Sequence, residues 1–321
     1  MSENLLNVRN TLATGAAVAA LALLPGCTPR TKPNSPESAA TASCAPVDEG
    51  LIRDRDELFR AVTDTNTGLY EAELHATMMA EAERIGLHYP ETTELRSALE
   101  NGNMTPEAAV SLVNEHTLAT YGFETTAVID PSNLDQTVYD LKLLLDGLSE
   151  EFVEIVRLEG VSQYIIGSPE PAAKEEPAAA FIRYEDSGWK IFFGPGNTQW
   201  ARTHEGSHAL HQRYVEKFCA GSTHYQVDPV FGSKNPEGFV YGSPFDEDIT
   251  VAPHDKILYH EDVTETLRIL RTPGVACTTL RQRHDVIIAK MAVASVWLDK
   301  LYPGYGDFVA KSLGWRCGSF A

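Results

Sequence analysis

Apolar residues recur at helical intervals through the first half of the chain. Over residues 51–101 they lie three or four positions apart amid Glu and Ala, which predicts helix. Thr105 and Pro106 predict the next helix start, with threonine as the N-cap and proline in the first helical position. The same spacing of apolar residues predicts further helices over 134–145 and 149–160, and the glycine at the end of the second is a stop signal.

The pattern changes in the middle of the chain. Residues 161–166 are rich in β-branched and aromatic side chains, which predicts a strand. Two further apolar runs, 180–184 and 189–193, flank the polar turn 185–188, which ends in glycine, and this order predicts a β-hairpin. A helix is predicted directly after the hairpin, at about 199–218.

The last third of the chain returns to helical spacing. Helices are predicted over 261–270 and over 285–301, and the second of these is apolar enough to be core. Many helices with a few strands between them predict an α+β fold. We expect a helical N-terminal region over 51–130 and a second domain over 131–321.

The N-terminus has the features of an export signal. Residues 16–24 form an apolar run with the length of a signal-peptide core. The run leads into Leu-Pro-Gly-Cys ending at Cys27, which resembles the bacterial lipobox, whose cysteine becomes lipid-modified and N-terminal. We therefore predict a signal peptide at 1–26, a flexible Pro/Ser/Thr-rich tether at 27–50, and a lipid-anchored protein of the cell envelope. An ordinary secretory signal or a cytosolic apolar helix are the alternatives.

Composition narrows the choice of function. The chain has 26 basic and 45 acidic residues, a net charge of −19, and it lacks a Lys/Arg-rich stripe, which argues against nucleic-acid binding. Besides Cys27 it contains Cys44, Cys219, Cys277 and Cys317. Four cysteines suit an oxidising compartment, with up to two disulfides in any of three pairings.

The chemistry of the chain centres on the sequence His-Glu-Gly-Ser-His. His204 and His208 are four residues apart, so on a helix they share one face and can bind one metal ion. Glu205 lies beside them, where a carboxylate serves as general base in metal-assisted hydrolysis. The pattern predicts a Zn²⁺ site, although a solvated helix face can carry the same five residues by chance.

A catalytic zinc site needs a third protein ligand. The downstream candidates are His254, His260, Glu261, Asp262 and Glu265. Glu261 and Glu265 lie one turn apart on a predicted helix and face the same way. One could bind the metal while the other accepts a hydrogen bond from a ligand imidazole. For these two residues alone, a solvated acidic face is the alternative.

These two motifs together resemble the gluzincin metallopeptidases. The string Glu-Asp-Val-Thr-Glu-Thr from Glu261 is similar to the Glu-Asp-Phe-Ala-Glu of a bacterial group related to the peptidase domain of anthrax lethal factor. The resemblance covers roughly residues 140–275. It implies that Glu261 binds zinc and that Glu265 lies in the outer shell. It also implies a zincin-like fold, in which a small mixed sheet packs on the His-Glu-x-x-His helix and an edge strand holds an extended peptide.

The sequence departs from that group at two positions. Arg202 is charged where the group tends to have uncharged residues. The group also places a tyrosine several residues before the glutamate ligand, where it can stabilise an oxyanion, and here the seventh residue before Glu261 is His254. Tyr241 and Tyr259 are the alternatives, and we assign this role to Tyr241.

The sequence therefore predicts an exported, lipid-anchored zinc metallopeptidase that hydrolyses peptide or protein substrates. Two alternatives stay open. The chain could be a non-catalytic zincin-like lipoprotein that binds a partner, or a helix-rich binding module in which the motif is coincidental. The retention of Glu205 argues against the first alternative, because a non-catalytic protein has no need of the general base.

Overall fold

The computed structural model describes residues 42–61, 71–101, 104–173, 178–185, 188–196, 198–251, 255–282 and 284–318. Within these residues the protein is mainly helical with one small mixed sheet, so the predicted α+β class is confirmed. The signal peptide, Cys27 and His254 lie outside the described residues.

The helices follow one another along most of the described chain. Their bounds are α1 Glu49–Ala61, α2 Glu71–Arg84, α3 Thr93–Glu100, α4 Pro106–Tyr121, α5 Leu134–Ser149, α6 Val153–Glu159, α7 Thr198–Phe218, α8 Pro229–Gly232, α9 Tyr259–Arg271, α10 Pro273–Gln282, α11 Asp285–Leu301 and α12 Tyr305–Gly318. The capping signals act as predicted: the Thr105 side chain accepts a hydrogen bond from the Ala108 amide, and Gly160 ends α6 in the left-handed conformation.

The sheet contains the strands β1 Glu124–Ala127, β2 Val161–Ile166, β3 Ala180–Glu185 and β4 Gly188–Phe193, in the order β1-β2-β4-β3. The neighbours β1 and β2, and β2 and β4, run parallel, whereas β3 and β4 form the predicted antiparallel hairpin. β1 was not predicted, because its sequence Glu-Thr-Thr-Ala has no apolar alternation.

Helix α7 lies between two apolar cores. On one side Ala201 and Ala209 join a core formed by the sheet and helices α3 to α6. On the other side Leu210 and Tyr214 join a core dominated by α9, α11 and α12. The segment 51–130 contributes to both cores, since α1 packs on α11 and α12 while α4 packs on β1 and α5.

Helix α9 is buried along its whole length, including its charged residues. The alternative of a solvated acidic face for Glu261 and Glu265 is therefore wrong. A helix with this many charges can be buried only if each charge finds a partner. The partners include residues of α6, α7 and α11, and Glu265 and Arg268 within α9 also pair with each other.

The segment before α1 is fixed to the end of α7. Cys44 forms a disulfide with Cys219, and the Ala42 and Ala45 amides donate to the carbonyls of Val227 and Phe218. The predicted flexible tether therefore does not include residues 42–50. The second disulfide joins Cys277 to Cys317. The prediction of up to two disulfides is therefore confirmed, and the structure has one of the three possible pairings.

Candidate metal centre

The centre begins with the buried face of α7. His204, Glu205 and His208 are all buried, and the two imidazole rings lie 4.9 Å apart between centroids. The four-residue spacing places both rings on the same side of the helix, as the sequence predicts. The small residues between them let this face pack closely against neighbouring elements.

Helix α9 brings Glu261 to the two imidazoles. The Glu261 Oε2 atom lies 3.4 Å from His204 Nε2 and 3.5 Å from His208 Nε2. Two ligands bound tetrahedrally to Zn²⁺ at about 2.0–2.1 Å are separated by about 3.4 Å, so the three atoms have the spacing of zinc ligands. They form one of the two groups of potential metal ligands found among the described residues.

Hydrogen bonds at the Nδ1 atoms orient both imidazoles. His204 Nδ1 lies 2.6 Å from Glu265 Oε1, and His208 Nδ1 lies 2.9 Å from the Thr264 hydroxyl. Binding at Nδ1 turns each Nε2 towards Glu261, which is the usual arrangement of histidines that bind a metal. Glu265, which was predicted to lie in the outer shell, thus contacts His204 at Nδ1, whereas no role was predicted for Thr264.

Glu265 is held in its charged form. Burial disfavours the carboxylate, but the positive charge of Arg268 and the hydrogen bond with His204 outweigh that effect and lower its pKa to about 2. Arg268 Nε also donates to Glu265 Oε2 at 2.8 Å. An ionised Glu265 accepts the Nδ1 proton of His204, which leaves the Nε2 lone pair available to a metal.

The donor set fits Zn²⁺. Two imidazole nitrogens and one carboxylate oxygen are the protein ligands of a His₂Glu zinc site, with a fourth position for water or substrate. The second group of potential ligands, Cys44, Cys219 and Asp228, does not fit a metal, because its two sulfur atoms are bonded to each other.

The structure places Tyr241, the predicted oxyanion donor, in a buried polar network. Its hydroxyl donates to Asp262 Oδ2 at 3.1 Å and accepts from Asn235 at 3.0 Å. Asp262 also forms a fully buried ion pair with Lys290, at 2.6 Å. Burial, followed by the charge of Asp262, raises the pKa of Tyr241, so the phenol stays protonated.

Three further residues, His260, His224 and Tyr225, lie near the candidate ligands. His260 Nε2 lies 3.3 Å from Glu261 Oε1, and the Tyr225 ring packs edge-on against the His260 ring at 5.0 Å. His224 packs on Tyr225 and contacts Gln212 of α7. His260 was one of the candidate ligands, but no local pattern distinguishes His224 and Tyr225, since their loop meets the centre only in the folded chain.

A buried cluster of four charges lies behind α7. Arg202 and Arg271, from α7 and α9, both bind Glu159 and Glu151, and all four residues are buried. Glu159 also accepts from the Tyr164 hydroxyl at 3.2 Å. Arg202, which departs from the resembled group, is therefore linked through Glu151 and Glu159 to Arg271 of α9, so the cluster joins the two helices that carry the candidate metal ligands.

The cluster explains the glycine in the motif. A Cβ atom on Gly206 would lie 2.4 Å from Glu159 Oε1, so the carboxylate occupies the space that any larger residue would need.

The comparisons with known proteins add no family to this description. No family model, no curated protein sequence and no solved structure matches the chain. Within the part of the chain that the structure describes, no helix combines the length and apolarity needed to cross a bilayer.

Proposed function

We propose that the protein is a zinc-dependent peptidase with a gluzincin-type site. The observation that carries the proposal is the convergence of His204, His208 and Glu261, with both imidazoles oriented by hydrogen bonds at Nδ1. A chance His-Glu-x-x-His on a helix has no reason to be buried, to face a glutamate from another helix, or to have its outer nitrogens bound.

The architecture around the site supports a zincin-like fold. The sheet packs on α7, and its terminal strand β3 runs antiparallel to β4. An extended peptide that paired with β3 would lie beside the helix that carries the motif. This arrangement suits a peptide or protein substrate.

The chain's own residues perform the steps of hydrolysis. Zn²⁺, when bound, polarises the scissile carbonyl and acidifies the attacking water. Glu205 accepts the proton of that water and later donates it to the leaving amine. Glu265 and Thr264 keep the two imidazoles in the ligating orientation, and burial of the site excludes bulk water.

The cellular setting is part of the proposal. Export and attachment to a membrane through Cys27 rest on the lipobox-like sequence. The two disulfides, Cys44–Cys219 and Cys277–Cys317, support an oxidising compartment outside the cytosol.

Metal content and hydrolysis are the test. The purified full chain should hold about one zinc per chain, and chelator-sensitive cleavage should appear with a mixed peptide library. Glu205→Gln should keep the metal and lose cleavage, whereas His204→Ala with His208→Ala should lose the metal. Glu216→Gln, an exposed glutamate on the same helix, is the matched control and should change neither. Zinc content unaffected by the double histidine variant would refute the site.

One observation favours the alternative of a zincin-like protein that binds without cleaving. The hydroxyl of Tyr241, the predicted oxyanion donor, is engaged by Asp262 and Asn235. Under this alternative the chain still holds one zinc, but no member of the peptide library is cleaved.

A further inference from the structure

We infer that Arg271 is a positioning residue for the metal site, because it fixes helix α9 against helix α7 so that the glutamate ligand of one meets the histidine ligands of the other. The inference rests on the metal site proposed above.

Arg271 has a direct hydrogen bond to α7. It is the last residue of α9, and its side chain is completely buried. Its Nη1 atom donates to the Ser207 hydroxyl at 3.2 Å, and that hydroxyl donates to the Thr203 carbonyl at 2.7 Å. Thr203 and Ser207 directly precede the two histidines of the motif. The bond therefore joins α9 to the turn of α7 that carries both proposed imidazole ligands.

A second route from Arg271 to α7 runs through two carboxylates. Its Nη2 atom donates to Glu151 and to Glu159. Glu151 also accepts from the Thr203 hydroxyl at 3.0 Å, and Glu159 accepts from Arg202 at 2.8 and 2.9 Å. Both routes end on the part of α7 that contains the motif. The planar guanidinium fixes the directions of these bonds, because its donors are held in one rigid fork.

The hydrogen bonds at the ligands themselves do not replace this link. Glu265 and Thr264 bind the Nδ1 atoms of imidazole rings, which can turn about their own side-chain bonds. Arg271 instead binds Ser207, whose hydroxyl is held to the α7 backbone at Thr203. It therefore fixes one helix against the other, whereas the other two residues fix the rings.

A buried ion pair is a costly way to stabilise a protein. Removing the charges from water costs about as much as their attraction returns, and apolar residues of similar volume often give equal or greater stability. What the charges of this cluster supply, with their directed hydrogen bonds, is a defined position for the segments they join.

The position of α9 matters because its ligand must meet both imidazoles at once. Glu261 Oε2 lies 3.4 Å from His204 Nε2 and 3.5 Å from His208 Nε2. Distances from a metal to its ligands vary by only about 0.2 Å. A displacement of α9 by about 1 Å would therefore spoil the ligand geometry, and a misplacement of that size can cost about 100-fold in function.

The test replaces Arg271 with lysine. Arg271→Lys keeps the charge but has one donor nitrogen in place of Nη1 and Nη2, so the bonds to Ser207 and to the carboxylates cannot be kept together. Arg55→Lys is the matched control. Arg55 is also buried and donates from both Nη atoms, to Asp307 at 2.6 Å and to Asp299 at 3.1 Å, but it joins α1 to α11 and α12.

The measurements separate metal binding from stability. Each full chain is freed of metal with a chelator and titrated with Co²⁺, whose visible spectrum reports the ligand geometry, and urea unfolding is followed on the metal-free chains. Both variants should unfold at lower urea than the wild type. Arg271→Lys should also bind Co²⁺ about 10–100-fold more weakly and with a changed spectrum. Arg55→Lys should keep the affinity and the spectrum of the wild type.

Two results would overturn the inference alone. Equal affinity and spectra for Arg271→Lys and the wild type would remove the positioning role and leave the metal site intact. Equal weakening in Arg55→Lys would mean that any loss of stability weakens binding. A wild-type chain that binds neither Zn²⁺ nor Co²⁺ would instead refute the proposed function, and this inference with it.

A variant with a smaller change keeps the test decisive if Arg271→Lys does not fold. Ser207→Ala removes only the hydroxyl between the two helices. It should weaken Co²⁺ binding by about 10-fold, the lower end of the same range. Unchanged binding in a folded Ser207→Ala chain would refute the inference.

Discussion

Replacing Gly206 with alanine is expected to destabilise the protein, although alanine is the better helix former. The added methyl group would lie 2.4 Å from Oε1, 2.7 Å from Cδ and 2.9 Å from Oε2 of Glu159. Glu159 cannot swing aside into solvent, because it is fully buried and bound by Arg202 and Arg271.

The size of the effect follows from these contacts. Ordinary contact begins at 3.4 Å, so the carboxylate must retreat by about 1 Å from the helix. That movement breaks or distorts its bonds to Arg202, which are 2.8 and 2.9 Å long. Disrupting a buried ion pair costs about 3–5 kcal/mol. The higher helix propensity of alanine than of glycine offsets about 1 kcal/mol of this cost. The expected net loss in the free energy of unfolding is about 2–4 kcal/mol.

Urea unfolding followed by circular dichroism measures this loss. Gly274→Ala is the matched control, since Gly274 is also in a helix, α10, and a Cβ there would meet nothing within 4 Å. Its free energy of unfolding should stay equal to that of the wild type or rise by up to about 1 kcal/mol.

A double-mutant cycle identifies the cause. Glu159→Ala removes the carboxylate that the methyl group meets, so adding Gly206→Ala to it should cost little or nothing further. A Gly206→Ala protein as stable as the wild type would refute the reasoning. So would an equal cost of Gly206→Ala with and without Glu159, because the clash would then lie elsewhere.

Three other predictions concern stability. Burial, followed by the nearby His260 and His208, lowers the pKa of His224 to about 3. The contribution of the neutral His224 to the free energy of unfolding is therefore complete above the ordinary pKa near 6.5 and is lost as the pH falls towards 3. In urea unfolding of the metal-free chain, the free energy of unfolding should rise with pH less steeply in His224→Gln than in the wild type, by up to about 1.4 kcal/mol per pH unit. An equal dependence of the free energy on pH in the two proteins would contradict this. Replacing Cys44 and Cys219 with serine should cost about 4–5 kcal/mol, because the disulfide spans 175 residues, and an unchanged midpoint in urea would exclude a stabilising role. Lys290→Met should cost about 3 kcal/mol by leaving Asp262 buried without its cation, and adding Asp262→Leu should recover most of the loss, which thermal unfolding can check.

Local signals in the sequence predicted most of the regular structure. The helix from Pro106, the hairpin of β3 and β4, and helix α11 all lie where spacing, caps and turn residues placed them. These signals act between residues close in the chain, so they are present before any tertiary contact forms. The elements that were missed, such as β1 and α12, have weak local patterns and are specified by the surfaces they pack against.

The candidate centre divides in the same way. The four-residue spacings of His204 with His208 and of Glu261 with Glu265 are local, and the sequence alone put each pair on one helix face. The convergence of the two helices is not local, since the 40 residues 219–258 separate the end of α7 from the start of α9. Only the tertiary structure shows that Oε2 of Glu261 meets both imidazoles.

Burial of charge was the feature that the sequence could not reveal. Arg202 and the acidic residues of α9 look like surface residues in the sequence, because an isolated charge is costly to bury. Their partners come from distant segments: Glu159 and Glu151 bind Arg202, and Lys290 binds Asp262. The sequence by itself determined the helices, the hairpin and the two histidines on one face. The tertiary structure decided the contact with Glu261, the disulfide pairing and the buried charges, because each depends on segments that meet only in the folded chain.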